Sequence, residues 1–197
     1  MNDKIVTCIV DHINQYKYLG HKRVGNNSYL VGQAPHIGPE AWLHIVYAPL
    51  CQEEINSLFS SNIPKNIEYI EFLKHMNGLT LFNGVLTFYG LRNNYSRVGD
   101  NIYQPFNIIT ANTIERNLNI DSESLVFGSY RQDGSKLLIS KEGHIARFKR
   151  ENGLILNQWN NFEDFILTEV PRVFSLFNSD GIKINSKLST TPENDLN

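Results

Sequence analysis

Along residues 63–92, IPKNIEYIEFLKHMNGLTLFNGVLTFYGLR, the spacing of the hydrophobic positions changes once. Ile67, Ile70, Leu73 and Met76 recur every three residues with Phe72 beside them, which is the spacing of one apolar helix face. Pro64 stands at a first helical position, where its fixed φ suits the helix and its missing N–H costs nothing. Asn77 and Gly78 end the helix, because both tolerate the left-handed conformation that closes a helix C-terminus. Leu79, Leu81, Val85, Leu86, Phe88, Tyr89 and Leu91 then read as strand, interrupted by Asn83-Gly84, a dipeptide suited to a tight primed turn. The unit is a helix, a stop, and a hairpin or bulged strand, and on its residues alone it reads as core.

The same reading extends in both directions. Residues 3–18 predict a helix with Ile5, Ile9, Ile13 and Tyr16 on one face and Asp3 near its positive end, stopped by Gly20. Residues 22–38 are rich in turn formers and predict a loop carrying one edge strand at Tyr29-Leu30-Val31. Trp42 to Tyr47 is a strand closed by Pro49, and Gln52 to Ser60 a helix with Glu53 and Glu54 in its first turn and Ile55, Leu58 and Phe59 facing inward. This helix and the one opened by Pro64 form a pair laid on one sheet surface.

Beyond Arg92 the stretch NNYSRVGDNIYQP has too many turn residues for a regular element. A helix is predicted over Asn107 to Leu118 and a strand at Leu125-Val126-Phe127. Tyr130 to Phe148 predicts the clearest hairpin, its turns at Gln132-Asp133-Gly134-Ser135 and Lys141-Glu142-Gly143. Leu154 to Leu156 continues the sheet. The last helix, Phe162 to Phe177, contains Pro171, which should kink it or split it in two. Residues 178–197 lose their hydrophobics and predict a mobile tail.

Composition narrows the class. The chain has 197 residues, 41% hydrophobic and 19% charged, enough for one core and too apolar for a disordered protein. A formal net charge of −2 leaves no global field to recruit nucleic acid or an anionic membrane. Cys8 and Cys51, the two cysteines, share no CxxC and read as packed, reduced thiols. The opening MNDKIVTCIVDHINQYKY has neither a basic leader nor a long apolar run, and no segment approaches the roughly 18 apolar residues of a membrane span. A cytoplasmic protein without a membrane role is expected.

Candidate chemistry is sparse. GxSxG, HExxH, GxxxxGK[ST] and GxGxxG are all absent, and no cysteine lies beside a histidine base. His12, His36 and His44 lie in different elements without a partner at ligand spacing. Asp133-Gly134-Ser135-Lys136 has an acid and a lysine three apart, as a metal nuclease might, but a hairpin turn explains it without a second carboxylate. No cofactor or metal is expected, and no enzyme activity. What remains is recognition. The loop contributes Arg92, Tyr95, Arg97 and Tyr103, residues that combine large contact area with hydrogen bonding. Residues 130–150 carry six Lys or Arg against two acidic side chains, a mildly basic face with Tyr130, Arg131, Lys136 and Arg147 as contact candidates.

The order of these segments carries a resemblance. A proline-opened helix ends in Phe72-Leu73 and Asn77-Gly78, a strand ends at Tyr89-Gly90, Gly128 and the Asp133-Gly134 turn bound a later strand, and Trp159, Phe162 and Phe165 close the pattern. Over about residues 40–177 this resembles the SMI1/KNR4 family, also called the SUKH superfamily. The resemblance implies a single-domain α+β fold, with helices packed around a mainly antiparallel twisted sheet. The first 39 residues would be a cap or a partner-specific extension, and residues 178–197 the tail. Bacterial members of the family look like immunity proteins that bind and neutralise a cognate toxin, often a nuclease, encoded nearby. Fungal relatives look like scaffold and regulatory modules. Either implies a protein partner and supplies no catalytic residues.

Overall fold

The protein is described by a computed structural model over residues 3–96 and 98–194. Its centre is one open antiparallel sheet of nine strands, in which each strand pairs with its neighbour in sequence. In order these are β1 (His21–Arg23), β2 (Tyr29–Gln33), β3 (Trp42–Val46), β4 (Leu79–Leu81), β5 (Leu86–Phe88), β6 (Leu125–Tyr130), β7 (Lys136–Ile139), β8 (Ile145–Phe148) and β9 (Ile155–Trp159). Five α-helices accompany it: α1 (Asp3–Asn14), α2 (Gln52–Ser60), α3 (Ile67–Leu73), α4 (Ile108–Asn112) and α5 (Phe162–Ser175). The result is a single α+β domain. Among the described residues, no helix is long and apolar enough to cross a membrane.

Helices α1, α3 and α5 bury their apolar faces in one core. Ile5, Ile9 and Ile13 of α1 are buried as their spacing predicts. Phe72 of α3 lies 5.4 Å from Phe162 of α5 and 5.9 Å from Phe88 of β5, ring centre to ring centre. Phe127 of β6 closes the cluster against Phe165 at 5.8 Å. Such edge-to-face pairs add roughly 0.5–1.5 kcal/mol each beyond area burial. The segment Ala34–Ala41 between β2 and β3 is a tight turn region, and α2 and α3 together fill the connection between β3 and β4.

Asn77, Gly78, Tyr89 and Gly90 form a close-packed knot where the segment after α3 meets the end of β5. Gly78 has φ +87°, and a Cβ there would lie 2.6 Å from the Phe88 carbonyl oxygen. Asn77, buried, accepts from the Leu91 amide at 2.7 Å and donates to the Leu91 carbonyl at 2.8 Å, which replaces a missing strand neighbour with an amide side chain. A Cβ on Gly90 would collide with the backbone carbonyl and side-chain oxygens of Asn77. The Tyr69 hydroxyl, fully buried, donates to the Tyr89 carbonyl at 2.5 Å. Because the obstacle at Gly90 is backbone, Gly90→Ala should cost about 3 kcal/mol; an unchanged denaturation midpoint would mean that the knot yields.

Several expectations need correction. The region 22–38 is not a loop with an edge strand but the hairpin β1–β2, in which β1 is the edge and β2 lies inside the sheet. Residues 1–39 therefore supply strands of the same sheet and, in α1, a helix packed on α5. Helix α3 is capped by Asn66, whose side chain accepts from Tyr69 N, so Pro64 precedes the helix instead of opening it. The rotation this sets leaves Ile67 72% exposed and buries Tyr69. Phe59 is 47% exposed, outside the buried stripe of α2. Cys51 is an exposed N-cap, not a packed thiol.

Two differences concern the second half. The predicted helix over 107–118 stops at Asn112, because its side chain bonds the Val126 amide and carbonyl of β6. Helix α5 runs through Pro171 without splitting: Val170, Val173 and Phe174 on either side are buried, and Leu167, whose carbonyl loses its partner, lies on the exposed side. Of residues 178–197, read from composition as a tail, 195–197 lie outside the described residues, and the stretch before them returns to the sheet, where Thr190 and Thr191 are buried and the Pro192 and Glu193 carbonyls accept from Arg147 and Asn157.

Candidate functional site

The knot delivers the chain from Leu91 into the segment 92–106, and both ends of that segment are fixed. At its far end Gly90 N donates to the Phe106 carbonyl at 3.0 Å, and Ile108 N donates to the Gly90 carbonyl at 2.8 Å. Its middle is tied to the β1–β2 hairpin. Asp100 accepts from Gly25 N at 2.6 Å, and the Tyr103 carbonyl accepts from Asn26 Nδ2 at 2.7 Å and Ser28 Oγ at 3.2 Å. Asn93 donates to the Glu54 carboxylate, which also caps α2 by accepting from Cys51 N at 2.8 Å. The described residues of the segment are thus tied to the β1–β2 hairpin, to α2 and to Gly90.

That shape presents apolar and aromatic groups outward. Tyr95 is 65% exposed and Val98 77%, with Ile102 and Phe106 also exposed. The Arg92 guanidinium lies 5.2 Å from the Tyr95 ring centre and donates from Nε to the Asn94 carbonyl at 3.0 Å. Asn107 Nδ2 donates to the Tyr95 hydroxyl at 2.5 Å. Stacked arginine and tyrosine, each with its polar end anchored, lose little side-chain entropy on binding.

Lys136 joins this surface from below. In the sheet register it follows Thr80, Thr87 and Ser129 along the face turned away from α5. Its amine donates to the Tyr89 hydroxyl at 2.8 Å, pairs with Glu115 at 3.6 Å and lies 5.3 Å from the Phe106 ring centre. Its charge is thus engaged within the chain, beside Phe106.

Beside the segment is a pocket of about 210 Å³ lined by Tyr47, Leu50, Glu54, Asn77, Asn93 and Tyr103, among others. Small-molecule sites typically occupy about 300–1,000 Å³. The pocket is of a size for one side chain of a partner.

The remaining sequence candidates divide. Tyr103 is half-buried and packs against a small cluster of Val24, Leu30 and Trp42. Arg131 is exposed elsewhere, donating to the Asn83 carbonyl at the β4–β5 turn at 2.9 Å. Arg97 lies outside the described residues. Tyr130 and Arg147 are buried, which corrects their reading as surface contacts. The Tyr130 hydroxyl donates to Glu169 at 2.6 Å, and burial followed by the Glu169 charge pushes it well above the usual phenol range. Arg147 donates to Asp133 at 2.6 Å. Burial alone would raise the Asp133 carboxyl, but hydrogen bonds from Ser135 and Arg147 together hold it below the usual carboxylate range. Asp133 is thus committed to an ion pair. Among the described residues no group of three His, Cys, Asp or Glu could hold a metal ion.

The basic face of 130–150 is largely neutralised, since Lys141 pairs with Glu123 at 2.8 Å and Arg150 approaches Glu115 at 3.9 Å. Sequence reasoning missed Phe106, Val98 and Ile102, whose signal was three apolar residues inside a turn-rich stretch. Compared with protein-family profiles, curated proteins and solved structures, the chain matches none of them.

Proposed function

We propose that this chain binds a protein partner through the Arg92–Phe106 surface, and that it is an immunity protein that neutralises a cognate toxin domain by covering that domain's active site. One observation carries the binding reading: a segment pinned at both ends turns Tyr95, Val98, Ile102 and Phe106 outward instead of burying them. Exposed apolar groups gathered on a rigid base, with an arginine stacked at their rim, are what a protein interface uses as its anchor.

The toxin part rests on the resemblance of the Pro64 to Phe165 pattern to the SMI1/KNR4 family. Under this reading the partner is encoded nearby, the chain acts in the cytoplasm, and neither a cofactor nor catalysis by the chain is needed. The test is to titrate the purified chain with the C-terminal domain of a large secreted protein encoded beside it. Saturable binding together with loss of the domain's toxic activity is expected. A neighbouring domain that keeps its activity at a tenfold excess of the chain would contradict the proposal.

A further inference from the structure

On the face of the sheet that carries α5, opposite the surface just described, a polar groove runs between the C-terminal half of α5, β8, β9 and the β6–β7 turn. It is built around two arginines that side chains of the fold also hold. Glu169 grips Arg172 through Nε at 2.8 Å and Nη2 at 2.5 Å, while Asp133 and the Ser135 hydroxyl hold Arg147 at 2.6 and 2.9 Å. Glu169 and Arg147 are both almost fully buried.

The groove is filled by a piece of the chain itself, residues 190–194. Arg172 Nη2 donates to the Thr190 carbonyl at 2.7 Å, Arg147 Nη1 to the Pro192 carbonyl at 2.8 Å, and Asn157 Nδ2 to the Glu193 carbonyl at 2.5 Å. Gln132 Oε1 accepts from the Thr190 amide at 2.5 Å and from its hydroxyl at 2.7 Å. Four side chains from four different elements thus read three main-chain carbonyls, one amide and one hydroxyl. A guanidinium has five donors and no acceptor, and a buried one must find carbonyl or carboxylate oxygens for them. The peptide supplies the oxygens that Asp133, Ser135 and Glu169 leave unmet.

We propose that this groove is a peptide-binding site for a segment that offers a threonine amide and hydroxyl and the main-chain carbonyls beside them, and that residues 190–194 occupy it as a built-in competitor. The ligand in trans is an equivalent segment of a partner protein. A tethered occupant has an effective concentration on the order of millimolar, so a partner segment gains entry only when the tethered one is weakened. The inference is independent of the Arg92–Phe106 surface and of the toxin reading.

The test uses the full chain and a fluorescent peptide spanning residues 187–194. Thr190→Pro removes the amide and hydroxyl that Gln132 reads, which weakens the tethered segment and leaves the groove intact. The peptide is expected to bind the Thr190→Pro chain at least tenfold more tightly than the unaltered chain. Adding Gln132→Ala, an exposed position, should reverse that gain at least tenfold. Equal affinity for the unaltered and Thr190→Pro chains, or indifference to Gln132→Ala, would overturn the proposal. So would failure of Thr190→Pro to fold, since the segment would then be an inseparable part of the core.

Discussion

Phe72→Ala is expected to lower the stability of the protein by about 3–5 kcal/mol, the usual cost of truncating a fully buried phenylalanine. The ring sits between Tyr69, Phe88 and Phe162, with centres at 5.4, 5.9 and 5.4 Å, so alanine leaves a void bounded by other rings that cannot close it without leaving their own contacts. For a domain of this size the melting temperature should fall on the order of 10 °C. Phe59→Ala is the control. Phe59 also lies on a helix of the same pair, but at 47% exposure its loss should stay within about 0.5 kcal/mol. Equal losses at the two positions would mean that helices α2 and α3 do not face the core as described.

His44 produces the second large effect, and it depends on pH. Its imidazole is fully buried among Tyr16, Phe82 and Phe174, stacked on Phe174 at 5.1 Å, and neither ring nitrogen has a hydrogen-bond partner among the described residues. Burial pushes its pKa down to about 3. In the unfolded chain the same ring takes up a proton at about pH 6.5. Between those values the unfolded state binds more protons than the folded one, so stability rises with pH across this window and falls on acidification. The slope from this one group is about 1.4 kcal/mol per pH unit, which amounts to roughly 3 kcal/mol between pH 6.5 and 4. His44→Leu should remove that share of the acid sensitivity while leaving neutral-pH stability equal or higher, since an unbonded buried imidazole gives way to an apolar group. Denaturation midpoints measured from pH 7 to 4 decide it: the two curves lie closest at neutral pH and separate on acidification, with His44→Leu the more stable. Parallel curves would show that His44 is solvated or bonded.

Much of the fold was legible because local chemistry and packing agree there. The α1 stripe and the turns at Asn83-Gly84 and Asp133-Gly134 pair a hydrophobic period with residues that tolerate the needed backbone; Asn83, Gly84 and Gly134 all have positive φ. Helix α3, by contrast, ends at Leu73, before the Asn77-Gly78 stop read from the sequence. The β1–β2 hairpin was hidden because β1 is an edge strand with all three side chains exposed, so His21-Lys22-Arg23 has the composition of a loop. Helix α4 was overextended because nothing local announces that Asn112 will turn to bond β6. Tyr130 and Arg147 looked like surface residues since their burial depends on register: Arg147 lies opposite Leu137 and Asn157, on the face that α5 covers. One signal was available. Glu169 falls on the apolar stripe of α5 four residues after Phe165 and four before Val173, and a carboxylate there demands a buried partner.

The proposed binding surface was half legible. Arg92 and Tyr95 stand out in a turn-rich stretch, whereas the apolar residues around them gain meaning only once the segment is seen pinned with Val98, Ile102 and Phe106 facing out. The most direct measurement compares Tyr95→Ala with the unaltered chain, by melting and by titration with the toxin domain proposed as partner. Tyr95 is exposed and its loss removes one hydrogen bond, from Asn107 Nδ2, so the melting temperature should fall by only about 2–4 °C, while affinity should fall about thirtyfold, as for a hot-spot residue worth roughly 2 kcal/mol. Unchanged affinity in Tyr95→Ala, with a loss instead on Arg131→Ala at the distant β4–β5 turn, would place the partner on another face of the sheet.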